Sequence, residues 1–291
     1  MEGFSLFIKA KKIPIDVVDL LPVMDAMLIR LLKSLKAEDW QKQTVSKLGT
    51  VKDVAAHLLD GNIRTLSMLR DKYVGETPLI DPNEDLVTYL NGLSTNWVKA
   101  MKRVSPEMLI MLHKITGKRF CEYYSALNPF AKAGFPVDWV GEQESANWMH
   151  IACTYTQKWL HQQQIRDAIE KPGLMTYEFF NPLMDVFMLA LPYTYKDVEA
   201  RPDTTIKITI SSDIGGSWYL TKTATNWQVT KEEFLEDKDD VYPVAVITID
   251  PDTAWKLFSK SITPEQAKDK ITIAGNQPLG QPALSMVAVM S

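Results

Sequence analysis

The sequence predicts an α+β chain of two domains, an N-terminal helix bundle over residues 1–175 and a smaller α+β unit over residues 176–291. Three observations carry that expectation. A chain of 291 residues is long for one domain and comfortable for two. Up to about residue 172 the apolar residues recur at three- and four-residue spacing, which suits long amphipathic helices packed antiparallel. After about residue 175 the pattern changes to alternating stretches rich in β-branched residues, which suits strands. The boundary is expected between Pro172 and Asp203, with a separate core on each side.

The helices follow in order. "LLPVMDAMLIRLLKSL" is the first, with Pro22 in its opening turn, where a missing N–H costs nothing. Thr50 reads as the N-cap of the second, with Asp53 three residues on as in a capping box, and that helix is expected to reach about Tyr73. Asn83 is expected to cap a third through "DLVTYLNGLSTNWVKAMKRV". Ser105-Pro106 opens a fourth, and the loop "NPFAKAGFPVDWVGEQ" leads to a fifth from about Ser145 to Ile169. In the second part, "TTIKITIS", the hairpin in "GGSWYLTKTATNWQV", "VYPVAVITID" and "KITIAG" read as strands. "PDTAWKLFSKSI" reads as a helix opened by proline, and "PALSMVAVM" as a closing helix.

Composition narrows the function classes. The residues are 46% hydrophobic and 23% charged, ordinary for a soluble globular chain. A net charge of −4 gives no electrostatic reason to expect a nucleic-acid or anionic-membrane partner. No apolar run is long enough to span a bilayer, and no signal peptide is visible in "MEGFSLFIKAKKIPI". Two cysteines, Cys121 and Cys153, make no disulfide framework, so a cytoplasmic location with reduced thiols is the expectation. Ser-His-Asp, P-loop and dinucleotide signatures are absent, and the paired glycines of "DIGGSW" read as a turn between strands.

Two of the four histidines carry the site reading. His57 lies within an apolar helical segment, "KDVAAHLLDG", with Asp60 three residues later. His161 lies in "YTQKWLHQQQIRDAI", four residues after Gln157, so the two share a helix face about 6 Å apart along the axis. Histidines on separate helices of a bundle can meet in its interior, where metal sites are built from facing side chains. The other reading is that each is an interfacial residue hydrogen-bonded to a neighbour.

"TVKDVAAHLLDGNIRTLSMLRD" and "QKWLHQQQIRDAI" resemble the two signature helices of the mycothiol-dependent maleylpyruvate isomerase-like family, whose N-terminal domain is a DinB-like metal-binding helix bundle. "GGSWYL", "AWKLFSK" and "ITIAGNQPLGQPAL" are similar to that family's sterol-carrier-like C-terminal domain. The resemblance implies a metal- and thiol-dependent isomerase or transferase acting on a small electrophilic molecule. It implies a divalent metal, zinc or nickel, with a low-molecular-weight thiol as cofactor. The family's ligands are a histidine on the second helix, then an acidic residue and a histidine four apart on the last. His57 and His161 match the histidines, and Gln157 stands where the acid is expected. A neutral amide oxygen is a poorer ligand than a carboxylate for such ions. Asp60 is a further candidate to supply the missing charge, with solvent exposure or a bond to Arg64 as the alternative. The rival expectation is a non-catalytic protein binding a small or apolar ligand, with a degenerate metal site. The oligomeric state is left open.

The remaining candidates have plainer readings. His113 is read as packed or partly exposed without chemistry. His150 lies about 16 Å from His161 along the helix and cannot join it. Cys153, one turn before Gln157, is read as a small hydrophobe with a thiol near the site as the alternative. Trp148 and Trp159 are read as core. Gln162–Gln164 are read as polar helix surface or as amides lining a pocket mouth. Arg166 and Asp167 suit local ion pairs, with anion binding by Arg166 as the alternative, and "EEFLEDKDDV" reads as a solvated loop.

Overall fold

The computed structural model describes residues 14–73, 75, 86–134, 144–235 and 241–288. Five helices make the N-terminal bundle: α1 (Leu20–Lys33), α2 (Val51–Arg64), α3 (Leu86–Met101), α4 (Pro106–Ser125) and α5 (Asn147–Ala168). Local chemistry fixes their starts. Thr50 Oγ1 accepts from the Asp53 N–H (3.3 Å) while Asp53 Oδ2 accepts from the Thr50 N–H (3.1 Å), a complete capping box. Ser105 caps α4 through the Met108 N–H (3.2 Å), with Pro106 in the first turn. The expected cap Asn83 lies outside the described residues.

α2 shows why the bundle forms. Val51, Val54, Ala55, Leu58 and Leu59 are all buried, at the spacing of one helical face. Burying a valine or leucine of that face contributes about 1.5–3 kcal/mol. The helix does not run on to Tyr73 in α form. Thr65–Arg70 continue it as a π turn, with the Asp71 N–H reaching the Leu66 carbonyl (3.0 Å), five residues back. Lys72, at φ 58°, then ends it.

α6 (Tyr177–Met188) and α7 (Leu191–Thr194) lead into a five-stranded sheet of order β3-β2-β1-β4-β5. The strands are β1 (Thr205–Ile210), β2 (Gly216–Lys222), β3 (Trp227–Lys231), β4 (Ala245–Ile249) and β5 (Ile271–Gly275). Only β1 and β4 run parallel; the other neighbours are antiparallel. "DIGGSW" makes the turn between β1 and β2, and a Cβ at Gly215 would overlap the Ile210 carbonyl. α8 (Pro251–Phe258) connects β4 towards β5, capped by Asp250. The expected closing helix is instead a short 3-10 turn, Gln281–Ser285, with Pro282 in its first turn.

Separate cores are not found. Trp159 of α5 is fully buried and its ring lies 6.0 Å from Phe180 of α6 and 6.1 Å from Trp255 of α8. One apolar cluster therefore runs from α1, α4 and α5 through α6 to the inward residues of β1, β2 and β4. A second cluster, built on α2 with Leu28, Leu31, Leu109 and Ile165, fills the bundle's other side. The chain passes from bundle to sheet through α6 and α7, and the first apolar cluster continues across them. Asp185 on α6 joins the two parts further by accepting from Trp218 Nε1 of β2 (2.9 Å) and pairing with Lys231 of β3 (2.9 Å).

Candidate functional site

His57 and His161 meet. α2 and α5 pack along each other, and the two imidazoles stand edge to face with ring centroids 4.5 Å apart and planes at 76°. α3 and α4 brace α2 around this point. Trp97 Nε1 donates to the Ala56 carbonyl (2.9 Å), and His113 Nε2 lies 2.9 Å from the Ala55 carbonyl. His113 is fully buried against the α2 backbone.

Each ring of the pair is held by a neighbour. His57 Nδ1 is 2.6 Å from Ser94 Oγ on α3, which makes Nε2 the nitrogen available to the cluster. His161 Nδ1 is 2.9 Å from Gln164 Oε1, and its Nε2 is 3.1 Å from Gln157 Oε1. A neutral imidazole has one N–H, so it can donate to only one of those two amide oxygens. If Nδ1–H donates to Gln164, the Nε2 lone pair faces the Gln157 oxygen, and a proton or cation between them removes the repulsion. Both histidines are neutral near pH 7. Burial, then the charge of His161, Arg64 and Lys158, pulls the His57 pKa down to about 3. Burial pulls His161 down to about 4, against the Gln164 hydrogen bond and with Lys158 adding to the fall.

Gln162, Gln163 and Gln164 are not helix surface; all three are buried. Gln162 donates to the Met24 carbonyl on α1 (3.0 Å), and Gln164 orients His161. The amide run is therefore internal scaffolding. Asp60 is buried and paired with Arg64 (3.0 Å), four residues on. Cys153 is part-buried within electrostatic reach of Tyr124.

The cluster also holds a residue that sequence reasoning passed over. Lys158 follows Gln157 directly and reaches α2, donating to Asn62 Oδ1 and to the Leu58 carbonyl (3.3 Å), with its ammonium 4.3 Å from the Phe120 ring centre. Burial lowers its pKa to about 8 against the pull of Asp25. The small cavity beside it, lined by Asp25, Phe120 and Cys121 among others, measures about 10 Å³, room for one water at most. A lysine set between aromatic and apolar positions in "YTQKWLH" is the one sign of this in the sequence. Nothing in "NGLSTNW" singles out Ser94.

As a donor set, His57, Gln157 and His161 suit a divalent cation in number and protonation, since all three are neutral donors drawn from two helices. Charge is where they fall short of a carboxylate-bearing site. Among the described residues no group of three histidine, cysteine or carboxylate side chains is placed to hold a metal.

No family model matches the chain, and no curated protein matches it in sequence. Solved structures do. The crystal structure of the mycothiol-dependent maleylpyruvate isomerase superposes with a TM-score of 0.52 at 10% identity, over 88% of this chain and 91% of that one. A point mutant of that isomerase superposes equally well, at 9% identity and the same coverage. The chain has the maleylpyruvate isomerase fold. The similarity extends over bundle and sheet together, as the isomerase resemblance of the signature helices implies. No helix among the described residues is long and apolar enough to cross a membrane.

Proposed function

We propose that the chain is a thiol-dependent isomerase or transferase of small electrophilic molecules, with its centre at His57, Gln157 and His161 and a divalent cation, zinc or nickel, as the occupant. The observation that carries this reading is the meeting of two neutral histidines from separate helices with an amide oxygen 3.1 Å from one of them. The maleylpyruvate isomerase fold supports the reaction class, and mycothiol is the thiol named for that enzyme. A cation held there supplies the charge that favours the thiolate of a bound thiol, the nucleophilic form. The chain's own residues do the preparatory work. Ser94 and Gln164 fix the two rings, as partners behind metal ligands generally do. Burial keeps both rings unprotonated, so neither must lose a proton to act as a donor. A location in the cytoplasm with reduced thiols suits this chemistry.

A second reading, a non-catalytic binding protein with a degenerate metal site, is favoured by one observation. Lys158 and Arg64 lower the His57 pKa by their charge, while Asp60 is engaged by Arg64. A dication would join two resident cations without a carboxylate of its own. Titration of metal-free protein with Zn²⁺ and Ni²⁺, followed by a low-molecular-weight thiol, separates the readings. The enzyme reading expects one cation bound per chain, thiol binding that depends on it, and loss of both in the His57→Ala, His161→Ala variant. A native chain that binds neither cation moves the binding-protein reading ahead.

A further inference from the structure

On the side of α5 turned towards α1, away from the histidine pair, lies a second concavity. It is an open cleft of about 350 Å³ between α1 and the turn after α5. Arg30 and Ser34 of α1, with Met27 and Leu31, form one wall; Arg166 and Lys171 form the other. Three cations thus line it, and no carboxylate does among the described residues.

Arg166 is the unusual member. The residue is only 6% exposed, yet among the described residues its guanidinium bonds only neutral acceptors. Nε and Nη2 donate to Gln162 Oε1 (3.3 and 3.0 Å), and Nη1 donates to the Pro172 carbonyl. All of these acceptors are neutral. Two of its five N–H groups remain beyond the three used. Buried guanidinium groups are ordinarily paired, because removing an ion from water is costly unless an opposite charge compensates. Here burial and the nearby Arg30 both act against the charged form of Arg166. Gly173 keeps the wall open at this point. A Cβ there would overlap the Arg166 guanidinium, and its φ of 155° is one that side-chain-bearing residues rarely adopt.

We infer that this cleft is an anion-binding site, in which Arg166 at the base, with Arg30 and Lys171 at the mouth, receives the phosphate or carboxylate group of a small molecule. Arg166 offers the planar donor fork such oxyanions match. Ser34 lies on the same wall, with its hydroxyl donating to the Leu31 carbonyl (2.8 Å). The cleft is wide open to solvent, with room for more than a bare oxyanion. The site uses none of His57, Gln157 and His161, so it stands or falls apart from the function proposed for them.

The test is thermal unfolding of the full chain in inorganic phosphate, in succinate and in sodium chloride at matched ionic strength. An anion bound only by the folded state raises the unfolding temperature by mass action. Phosphate stabilising beyond chloride identifies a phosphate-type ligand, and succinate doing so identifies a carboxylate. Arg30→Gln and Lys171→Gln, both at exposed positions, should each weaken the apparent affinity by roughly fivefold, the range of an exposed ion pair. Arg166→Gln should abolish the effect if it folds; the two exposed variants decide the matter if it does not. Phosphate and succinate that do no more than chloride would overturn the inference. So would full stabilisation retained in the Arg30→Gln, Lys171→Gln double variant.

Discussion

His57 and His161, drawn from α2 and α5, stand edge to face at a centroid separation of 4.5 Å with Ser94 and Gln164 holding their outer nitrogens. The two partners orient the rings without touching the inner face of the cluster. Ser94→Ala should therefore leave the fold intact while loosening His57. If a cation binds there, its affinity should fall about tenfold, the low end of what losing an orienting partner costs. Calorimetric titration with Zn²⁺ measures this, and an unchanged affinity would show that the Ser94 hydrogen bond does not orient a ligand.

Gln157 tests the missing charge. Gln157→Glu is nearly isosteric and places a carboxylate oxygen where Gln157 Oε1 now lies 3.1 Å from His161 Nε2. Cation binding should tighten, because a positive charge nearby favours the ionised carboxylate. Without a cation the variant should be neutral or less stable, since a part-buried carboxylate then lacks a strong partner. Equal Zn²⁺ affinities for the two proteins would mean that position 157 does not serve a metal.

Lys158 couples electrostatically to three histidines. Its charge lowers the pKa of His57, His113 and His161, in each case behind burial as the larger cause. Lys158→Met keeps the apolar stem and removes that charge. All three imidazoles should then titrate at higher pH, which NMR of the ring protons can follow. Histidine titrations that stay where they were would separate Lys158 from the cluster.

The same histidines set an acid limit. Their folded pKa values, about 3 for His57 and about 4 for His113 and His161, lie below the unfolded value of 6.5. The unfolded chain therefore binds more protons as pH drops below 6.5. Stability is full above that pH and declines down towards pH 4, by on the order of 1 kcal/mol per pH unit for each histidine kept neutral. Asp25, Asp60 and Asp185 have pKa values raised chiefly by burial and act in the opposite sense as they protonate. Urea unfolding at pH 7, 6 and 5 should show the fall. A flat profile across that window would mean that the histidines are not held neutral.

The α2 cap gives a purely structural check. Thr50→Ala removes the acceptor for the Asp53 N–H and the hydroxyl that donates to Asp53 Oδ2, and keeps the backbone N–H bond to that carboxylate. A loss of about 1 kcal/mol in unfolding free energy is expected. Because α2 carries His57, any weakening of ligand binding beyond that loss would report coupling between the cap and the site.

Much of this architecture can be read from residue order. The spacing of Val51, Val54, Leu58 and Leu59, the Thr50 and Ser105-Pro106 starts and the alternation in "TIKITI" each encode a local preference. Local preference needs only neighbours three or four residues apart, or two in a strand, and those are visible in a one-dimensional string. The pairing of His57 with His161 was legible for the same reason, through two signature helices and a four-residue spacing.

What depends on distant segments was not legible. Gln162–Gln164 look polar and therefore exposed, yet all three are buried, with Gln162 donating to Met24 of α1 and Gln164 to Ser261 beyond α8. Ser94 and Lys158 join the cluster through contacts 37 and 100 residues apart in the chain, and no periodicity records such a distance. The continuous core has the same origin. Trp159, Phe180 and Trp255 lie on three helices whose own patterns say that each has an apolar face, but not which other face covers it. Packing chooses among complementary surfaces by shape and by the burial of polar groups with partners, and those choices exist only once the segments are brought together.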